Sequence, residues 1–208
     1  MLIISLIGKS KRTQTLKTNA FFFYPMPEFQ YELKIPKERI AVLIGTNAEV
    51  KSKIESETKT EITVDSKEGD VFVRGEDALS LYSSREIIRA IGRGFNPNTA
   101  MLLLKQDYCF ELIPISIAKT KKGIKRLKGR VIGSQGKSRK LIEELTETYI
   151  SVYGKTIGII GRVENTAIAR RAVDSLLKGS PHSSVYKWLE KQKRETKKRE
   201  ILGGLSGK

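Results

Sequence analysis

The chain contains an internal repeat, and this repeat restricts the possible folds more than any other feature of the sequence. Residues 43–64 and residues 131–152 align without a gap at a constant offset of 88, with eight identities in 22 positions. The identities run from Ile44 and Ile132 at one end to Val64 and Val152 at the other. Because self-similarity at a fixed spacing indicates a repeated structural unit, the chain is predicted to contain two copies of one small module. A length of 208 residues is enough for two such modules, each with a modest core.

Both copies show the same order of predicted elements. In the first copy, hydrophobic periodicity and turn residues predict strands at 29–35, 61–65 and 71–74, and helices at 36–43, 50–58 and 77–93. In the second copy, the same signals predict strands at 109–117, 149–153 and 157–160, and helices at 121–130, 137–148 and 164–177. Each copy therefore has the order β-α-α-β-β-α, with a loop between its first two helices, and the predicted fold class is α+β.

The loop of the second copy has the composition of an anion-binding turn. Two glycines three residues apart in Gly133-Ser134-Gln135-Gly136 allow the backbone to turn tightly and to approach a phosphate closely. The helix that follows presents free N–H groups and the positive end of its dipole to an anion. Lys137, Arg139 and Lys140 add positive charges at the same helix end. This combination resembles the KH module, whose Gly-x-x-Gly loop clamps a short run of single-stranded nucleic-acid backbone.

A nucleotide-binding P-loop is the competing interpretation of the same residues. Gly136-Lys137-Ser138 matches the end of that motif, but the motif requires four residues between its two glycines. The first glycine would then fall at position 131, which is Val131. No strand is predicted directly before the loop either, so the spacing argues against a P-loop and favours a KH module.

The positive charge is concentrated in the second copy. The formal net charge is +16, which favours a polyanionic partner. Ten basic residues and no acidic residue lie between positions 119 and 142; they are Lys119, Lys121, Lys122, Lys125, Arg126, Lys128, Arg130, Lys137, Arg139 and Lys140. The matching stretch of the first copy, 34–54, has five basic residues together with Glu38 and Glu49.

The loop of the first copy, Gly45-Thr46-Asn47-Ala48, is degenerate, because alanine replaces its second glycine. Glu49 stands where the second copy has Lys137, and its carboxylate repels an incoming phosphate. The hypothesis is that the second module binds RNA and that the first is structural or binds protein. The alternative is that both modules contribute and the loop simply varies, because phosphate contacts tolerate variation.

Composition excludes several other functions. One cysteine, Cys109, and one histidine, His182, cannot form an internal disulfide, a Cys/His metal site or a Ser-His-Asp or Cys-His catalytic set. No apolar run reaches transmembrane length, so no membrane association is expected, and a cytoplasmic location is the default. A carboxylate-only nuclease stays open as an alternative, although the acidic residues near 65–77 surround a predicted turn and are expected to be solvated. No catalytic residue, metal or cofactor is predicted.

Further motifs make the chain resemble one KH family in particular, the partner-of-Nob family of small-subunit ribosome assembly proteins. These motifs are the degenerate first unit, Gly-Arg-Gly-Phe-Asn-Pro at 92–97, the intact loop, and Ser-Val-Tyr-Lys-Trp-Leu-Glu at 184–190. The resemblance implies two tandem eukaryotic-type KH domains, and the short connection between them predicts that they pack together. The nuclear-export extensions of eukaryotic members are missing, which favours an archaeal protein.

The resemblance also implies a function and a binding site. It implies a non-enzymatic protein that binds single-stranded rRNA near the 3′ end of the small-subunit rRNA. The implied protein partners are the maturation nuclease, the dimethyladenosine transferase and a translation initiation factor. The expected RNA-binding residues are Lys125, Arg126, Lys128, Arg130, Val131, Ile132, Gly133, Ser134, Gln135, Gly136, Lys137, Arg139, Lys140 and Ile150. A free-standing KH regulator that binds mRNA or single-stranded DNA is the alternative function.

The expected domain boundaries follow from these patterns. They are 1–27 for an N-terminal arm or leader, 28–95 for the first KH domain, 96–108 for a helical connector, 109–180 for the second KH domain, and 181–208 for a C-terminal helix and basic tail. Whether the first segment is an arm, a leader or an upstream start stays open.

Overall fold

The computed structural model describes residues 29–116 and 120–205, and within them the module occurs twice. The first module contains β1 (Phe29–Lys34), α1 (Lys37–Ile44), α2 (Glu49–Thr58), β2 (Glu61–Asp65), β3 (Asp70–Gly75) and α3 (Ala78–Gly92). The connector contains α4 (Pro97–Ala100) and a 3-10 turn (Met101–Leu104). The second module contains β4 (Tyr108–Pro114), α5 (Lys121–Ile132), α6 (Lys137–Thr146), β5 (Tyr149–Tyr153), β6 (Thr156–Arg162) and α7 (Val163–Leu177), and α8 (His182–Leu205) follows it. The predicted β-α-α-β-β-α order is confirmed in both modules. The predicted arm or leader at 1–27 lies outside the described residues.

Local chemistry sets where the helices begin and end. The Asp77 carboxylate accepts a hydrogen bond from the Ser80 amide at 2.8 Å and caps the start of α3. The Thr120 hydroxyl accepts one from the Gly123 amide at 3.1 Å and caps α5 in the same way. Such caps satisfy amides that have no partner inside the helix. Both α2 and α6 are followed by a residue in the left-handed conformation, which ends the helix at the same point in each copy.

Each module forms a three-stranded antiparallel sheet with its last strand in the middle. The strand orders are β1-β3-β2 and β4-β6-β5. In the second sheet Ile157 of β6 lies opposite Ile113 of β4 and Val152 of β5. Because side chains alternate along a strand, Ile157 and Ile159 face the helices of their own module, and Ile160 faces the other way. The strand β6 is therefore buried on both faces.

The outer face of the second sheet packs against the first module. Ile160 is fully buried in the core of the first module. Phe95, from the junction after α3, meets the Phe110 ring edge to face at 5.8 Å between centroids. Gly158 leaves room for this contact, because a Cβ at that position would lie 2.7 Å from the Phe95 ring. The two KH-type modules are packed together, as predicted.

The C-terminal helix α8 covers the back of the second module. Val185 and Leu189 are buried in the second core, and Trp188 is half-buried with the Arg171 guanidinium 4.9 Å from its ring. Lys193 Nζ donates to the Glu144 carbonyl at 3.1 Å and holds α8 against α6. Within the described ranges, no helix has the length and apolarity needed to cross a membrane.

Candidate nucleic-acid interface

The loop of the second module has a backbone that requires glycine at its first position. Gly133 has φ 73° and ψ 178°, a combination that residues with a side chain essentially do not adopt. A Cβ there would lie 2.6 Å from Ser138 Cβ and 2.8 Å from the Ser138 amide nitrogen. Gln135 and Gly136 then take the left-handed conformation, with φ 53° and 76°. This turn brings the chain directly into α6, so the amides of that helix start at the loop.

The space in front of the loop is open. A Cβ at Gly136 would meet no atom within 4 Å, and Ser134 and Gln135 are exposed. Lys137 and Lys140 at the start of α6 are exposed, and so are Lys125 and Arg126 on α5. The loop therefore forms an accessible surface between two basic helix segments. Lys119, the first of the ten basic residues between positions 119 and 142, lies outside the described residues.

Arg139 is held within α6. It is half-buried, with Nε 3.8 Å from the Glu143 carboxylate one helical turn further on. Glu143 Oε1 accepts a hydrogen bond from the Ile150 amide at 2.7 Å and ties α6 to β5. Burial raises the pKa of Glu143, and the Ile150 amide and the positive charge of Arg139 oppose this rise. Arg139 contributes positive charge to the surface but is less available than its neighbours Lys137 and Lys140.

A half-buried row on α5 runs towards the loop. Ile124, Lys128 and Ile132 are spaced four residues apart and lie on one side of the helix, next to the buried row of Leu127 and Val131. Lys128 and Ile132 are among the predicted site residues, and Ile124 is not. Val152 on β5, also half-buried against the second core, is not among them either.

Arg130, a predicted RNA-binding residue, uses two of its guanidinium nitrogens for hydrogen bonds within the second module. Its Nε donates to the Leu176 carbonyl at 3.0 Å and its Nη2 to the Ser180 carbonyl at 2.7 Å. Leu176 lies in the last turn of α7 and Ser180 just after the helix, so the guanidinium fixes α5 against the end of α7. The Arg130 carbonyl also lies 2.8 Å from His182 Nε2. His182 is half-buried in this contact.

Val131 and Ile150, two further predicted RNA-binding residues, are buried. Val131 has no exposed surface and Ile150 is 4% exposed, and both belong to the second core. Residues this deeply buried support the surface from below and have almost no area to offer a base. Ile132 is the apolar residue next to the loop that keeps exposed surface.

The first loop has the same backbone and different chemistry. Gly45 has φ 74° and ψ 179°, and Asn47 and Ala48 follow with φ 51° and 62°. Thr46 and Asn47 are exposed, as Ser134 and Gln135 are in the second loop. Ala48 therefore holds a left-handed conformation with a side chain, and Glu49 follows it with an exposed carboxylate. The loop predicted to be degenerate is altered in its side chains and retains the turn.

Comparisons with known proteins agree with this geometry. Residues 109–194 match the model for the second KH domain of Pno1 proteins, described as a eukaryotic-type (type I) KH domain. Residues 30–93 match a general KH-domain model. The KH domain-containing protein MJ0443 of Methanocaldococcus jannaschii is 45% identical over 171 residues, which cover 80% of this chain and 75% of that protein. This chain belongs to the partner-of-Nob (Pno1) family. The resemblance seen in the sequence is thereby confirmed.

Two further relatives extend the comparison. The RNA-binding protein pno-1 of Caenorhabditis briggsae is 32% identical over 161 residues, which cover 73% of this chain and 58% of that protein. The chain thus spans little more than half the length of this Pno1 relative. A crystal structure of an a/eIF2alpha-aDim2p-rRNA complex from Pyrococcus horikoshii contains a similar chain, with a TM-score of 0.76, 42% identity, and coverage of 84% of this chain and 97% of that one.

Proposed function

We propose that this protein is an assembly factor of the small ribosomal subunit that binds single-stranded rRNA near its 3′ end through the second KH module. The observation that carries this proposal is the contrast between two loops with one backbone. The second loop has open space at Gly136 and Lys137 after it, whereas the first has Ala48 and Glu49. Because phosphate is attracted by one loop and repelled by the other, RNA occupies the second module.

The proposed mechanism assigns each part of the surface a separate task. The amides at the start of α6 and the charges of Lys137 and Lys140 hold the phosphates of about four nucleotides. The row of Ile124, Lys128 and Ile132 on α5 receives their unstacked bases. Lys125, Arg126 and Arg139 extend the positive field around this strand, and binding weakens as salt rises. The protein holds and covers the RNA end and performs no reaction on it.

The choice of rRNA is supported by the molecules that one similar protein binds. The similar chain from Pyrococcus horikoshii is found in a complex with rRNA and eIF2alpha. By extension, the first module of this protein is proposed to contact proteins of the same pathway. These are the maturation nuclease, the dimethyladenosine transferase and a translation initiation factor. A cytoplasmic location is part of this proposal.

Crosslinking of the protein to RNA in cells, with sequencing of the crosslinked sites, tests the proposal. We expect reads concentrated at the 3′ end of the small-subunit rRNA, and their loss in a Gly136→Asp variant that still folds. The matched control is Ala48→Asp, which places the same charge at the same position of the first loop. Reads scattered over many mRNAs would assign the protein to the class of free-standing KH regulators and would refute a role in assembly.

A further inference from the structure

The second loop carries one reachable hydroxyl group. Ser134 is exposed within the turn, whereas Ser138, in the first turn of α6, is 3% exposed. The Lys137 amide donates to the Ser134 carbonyl, so the turn holds Ser134 beside the first residue of α6. An enzyme that modifies serine hydroxyls can therefore reach Ser134 at this loop but not Ser138.

The groups around Ser134 favour a negative charge on its side chain. Ser134 lies at the positive end of the α6 dipole, which stabilises anions. The exposed Lys137 follows it, and the exposed Lys140 lies one helical turn further on. The Ser138 hydroxyl is a buried donor with no hydrogen-bond partner among residues 29–116 and 120–205. A phosphate on Ser134 would therefore meet the same groups to which the proposed function assigns the RNA phosphates.

The sequence around Ser134 is strongly basic. Ten basic residues and no acidic residue lie between positions 119 and 142, and protein kinases select their substrates partly by such charge patterns. The exposed Thr46 at the equivalent position of the first loop differs, because Glu49 follows it at the start of α2. The pattern fits a kinase that prefers basic substrates, and it favours Ser134 over Thr46.

We propose that Ser134 is a phosphorylation site and that its phosphorylation switches off RNA binding by the second module. A serine kinase transfers the γ-phosphoryl group of a nucleoside triphosphate to Ser134 Oγ. The Oγ–P bond forms, the bond from that phosphorus to the β-phosphate oxygen breaks, the nucleoside diphosphate leaves, and a base of the kinase takes the hydroxyl proton. The new group carries a charge of about −1.5 to −2 at pH 7. It occupies the place of an RNA phosphate and repels the strand. This inference rests on the proposed function, because it regulates that same surface.

Phosphoserine encoded genetically at position 134 of the full chain tests this regulation without the kinase. The probe is a fluorescein-labelled RNA of twelve nucleotides from the 3′ end of the small-subunit rRNA, measured by fluorescence anisotropy. We expect an affinity at least about tenfold lower than that of the unmodified protein, because the added charges lie beside the bound phosphates. The midpoint of urea unfolding should stay the same or rise, because the new charge suits the positive end of α6. A lower midpoint would show that the phosphate disrupts the turn, and would overturn the proposal.

The matched control carries phosphoserine at position 46 in place of Thr46, which puts the same charge at the same point of the first turn. Its RNA affinity should change little, and its urea midpoint should fall because the phosphate lies near Glu49. Equal losses of affinity in the two phosphorylated proteins would overturn the proposal, because the effect would then not depend on the second loop. Equal affinities of the unmodified protein and the protein phosphorylated at Ser134 would overturn the regulation and leave the proposed function standing. An unmodified protein that does not bind the probe would overturn both.

Mass spectrometry of phosphopeptides tests whether the modification occurs in cells. The protein is isolated from its own cells and separated into a fraction crosslinked to RNA and a fraction free of RNA. We expect phosphate on Ser134 in the free fraction and an unmodified Ser134 in the crosslinked fraction. An unmodified Ser134 in both fractions, or equal phosphorylation in both, would overturn the proposal.

Discussion

Replacing a glycine of the second loop by alanine is expected to change the free energy of unfolding by very different amounts at Gly133 and at Gly136. Gly133→Ala places a Cβ 2.6 Å from Ser138 Cβ and 2.8 Å from the Ser138 amide nitrogen. Residues with side chains avoid its backbone conformation, at a cost of about 1–3 kcal/mol. The overlap adds a penalty of about 1–3 kcal/mol, because Ser138 is itself buried and cannot move freely. We therefore expect a loss of about 4 kcal/mol in the free energy of unfolding.

Gly136→Ala is the matched control for this prediction. The new Cβ meets no atom within 4 Å, so only the left-handed conformation is penalised, by about 1–2 kcal/mol. The lower flexibility of the unfolded chain offsets about 0.4–1 kcal/mol of that cost. Ala48 already adopts this conformation in the first loop, which shows that alanine fits the turn. The net expected loss is about 1 kcal/mol.

Urea unfolding measures the difference between these variants. Trp188 is the only tryptophan and packs against the second module, so its fluorescence follows the unfolding of the module that carries the mutations. The prediction is a clearly lower urea midpoint for Gly133→Ala than for Gly136→Ala. Equal midpoints would mean that the loop does not have the backbone described here, and the account of its glycines would be refuted.

Three further substitutions test other parts of the structure. Arg130→Met leaves the Leu176 and Ser180 carbonyls without their donor and should cost about 1–3 kcal/mol of stability in the same urea assay. An unchanged midpoint would contradict the role of Arg130 in fixing α5 to the end of α7. Phe95→Ala empties the contact between the modules and should cost about 3–5 kcal/mol, with the two modules unfolding in separate steps by calorimetry; one unshifted transition would contradict this. For Glu143, whose pKa is raised in the folded state from an ordinary value of 4.5, the folded protein binds the proton more tightly than the unfolded chain. Stability therefore falls as pH rises from 4.5 through the raised pKa. Glu143→Gln should reduce the difference between melting temperatures at about pH 4 and about pH 7, and an unaltered difference would contradict the assignment.

The repeat made most of the fold predictable. Because the same pattern occurs in both copies, each copy supports the elements predicted in the other. The order of elements in both modules therefore followed from the sequence. Boundaries were less accurate: the strand predicted at 109–117 is β4, Tyr108–Pro114. One backbone bond continues the pairing beyond it, from the Ile115 amide to the Lys155 carbonyl at 2.9 Å, and position 117 lies outside the described residues.

The candidate site was predictable in its charges and less so in its packing. The loop glycines and the basic residues around them can be recognised from the local sequence alone, and the lysines beside the loop are exposed in the structure. The hydrogen bonds of Arg130 could not be predicted, because its partners, Leu176 and Ser180, lie 46 and 50 residues away. The local sequence does not distinguish an arginine that donates to distant carbonyls from one that is free to bind phosphate. The same limit applies to Val131 and Ile150, because burial depends on the assembled sheet and helices.

The two loops show how one backbone can serve two purposes. The turn at Gly45 is retained with nearly the same φ and ψ as the turn at Gly133, because each connects two helices that pack on one sheet. This structural need preserves the loop geometry whether or not an anion binds. Anion binding depends on the exposed positions that follow, where the modules differ by Glu49 and Lys137.

The central claim is that the second loop binds single-stranded RNA and the first does not, and one binding experiment tests it directly. Affinity for a twelve-nucleotide RNA from the 3′ end of the small-subunit rRNA is measured by fluorescence anisotropy for the unmodified protein, Gly136→Asp and Ala48→Asp. Both variants add one carboxylate at the same point of the same turn, and both must retain the free energy of unfolding of the unmodified protein to within about 1 kcal/mol. The account predicts a loss of at least about tenfold for Gly136→Asp and little change for Ala48→Asp. Equal losses in the two variants would contradict it.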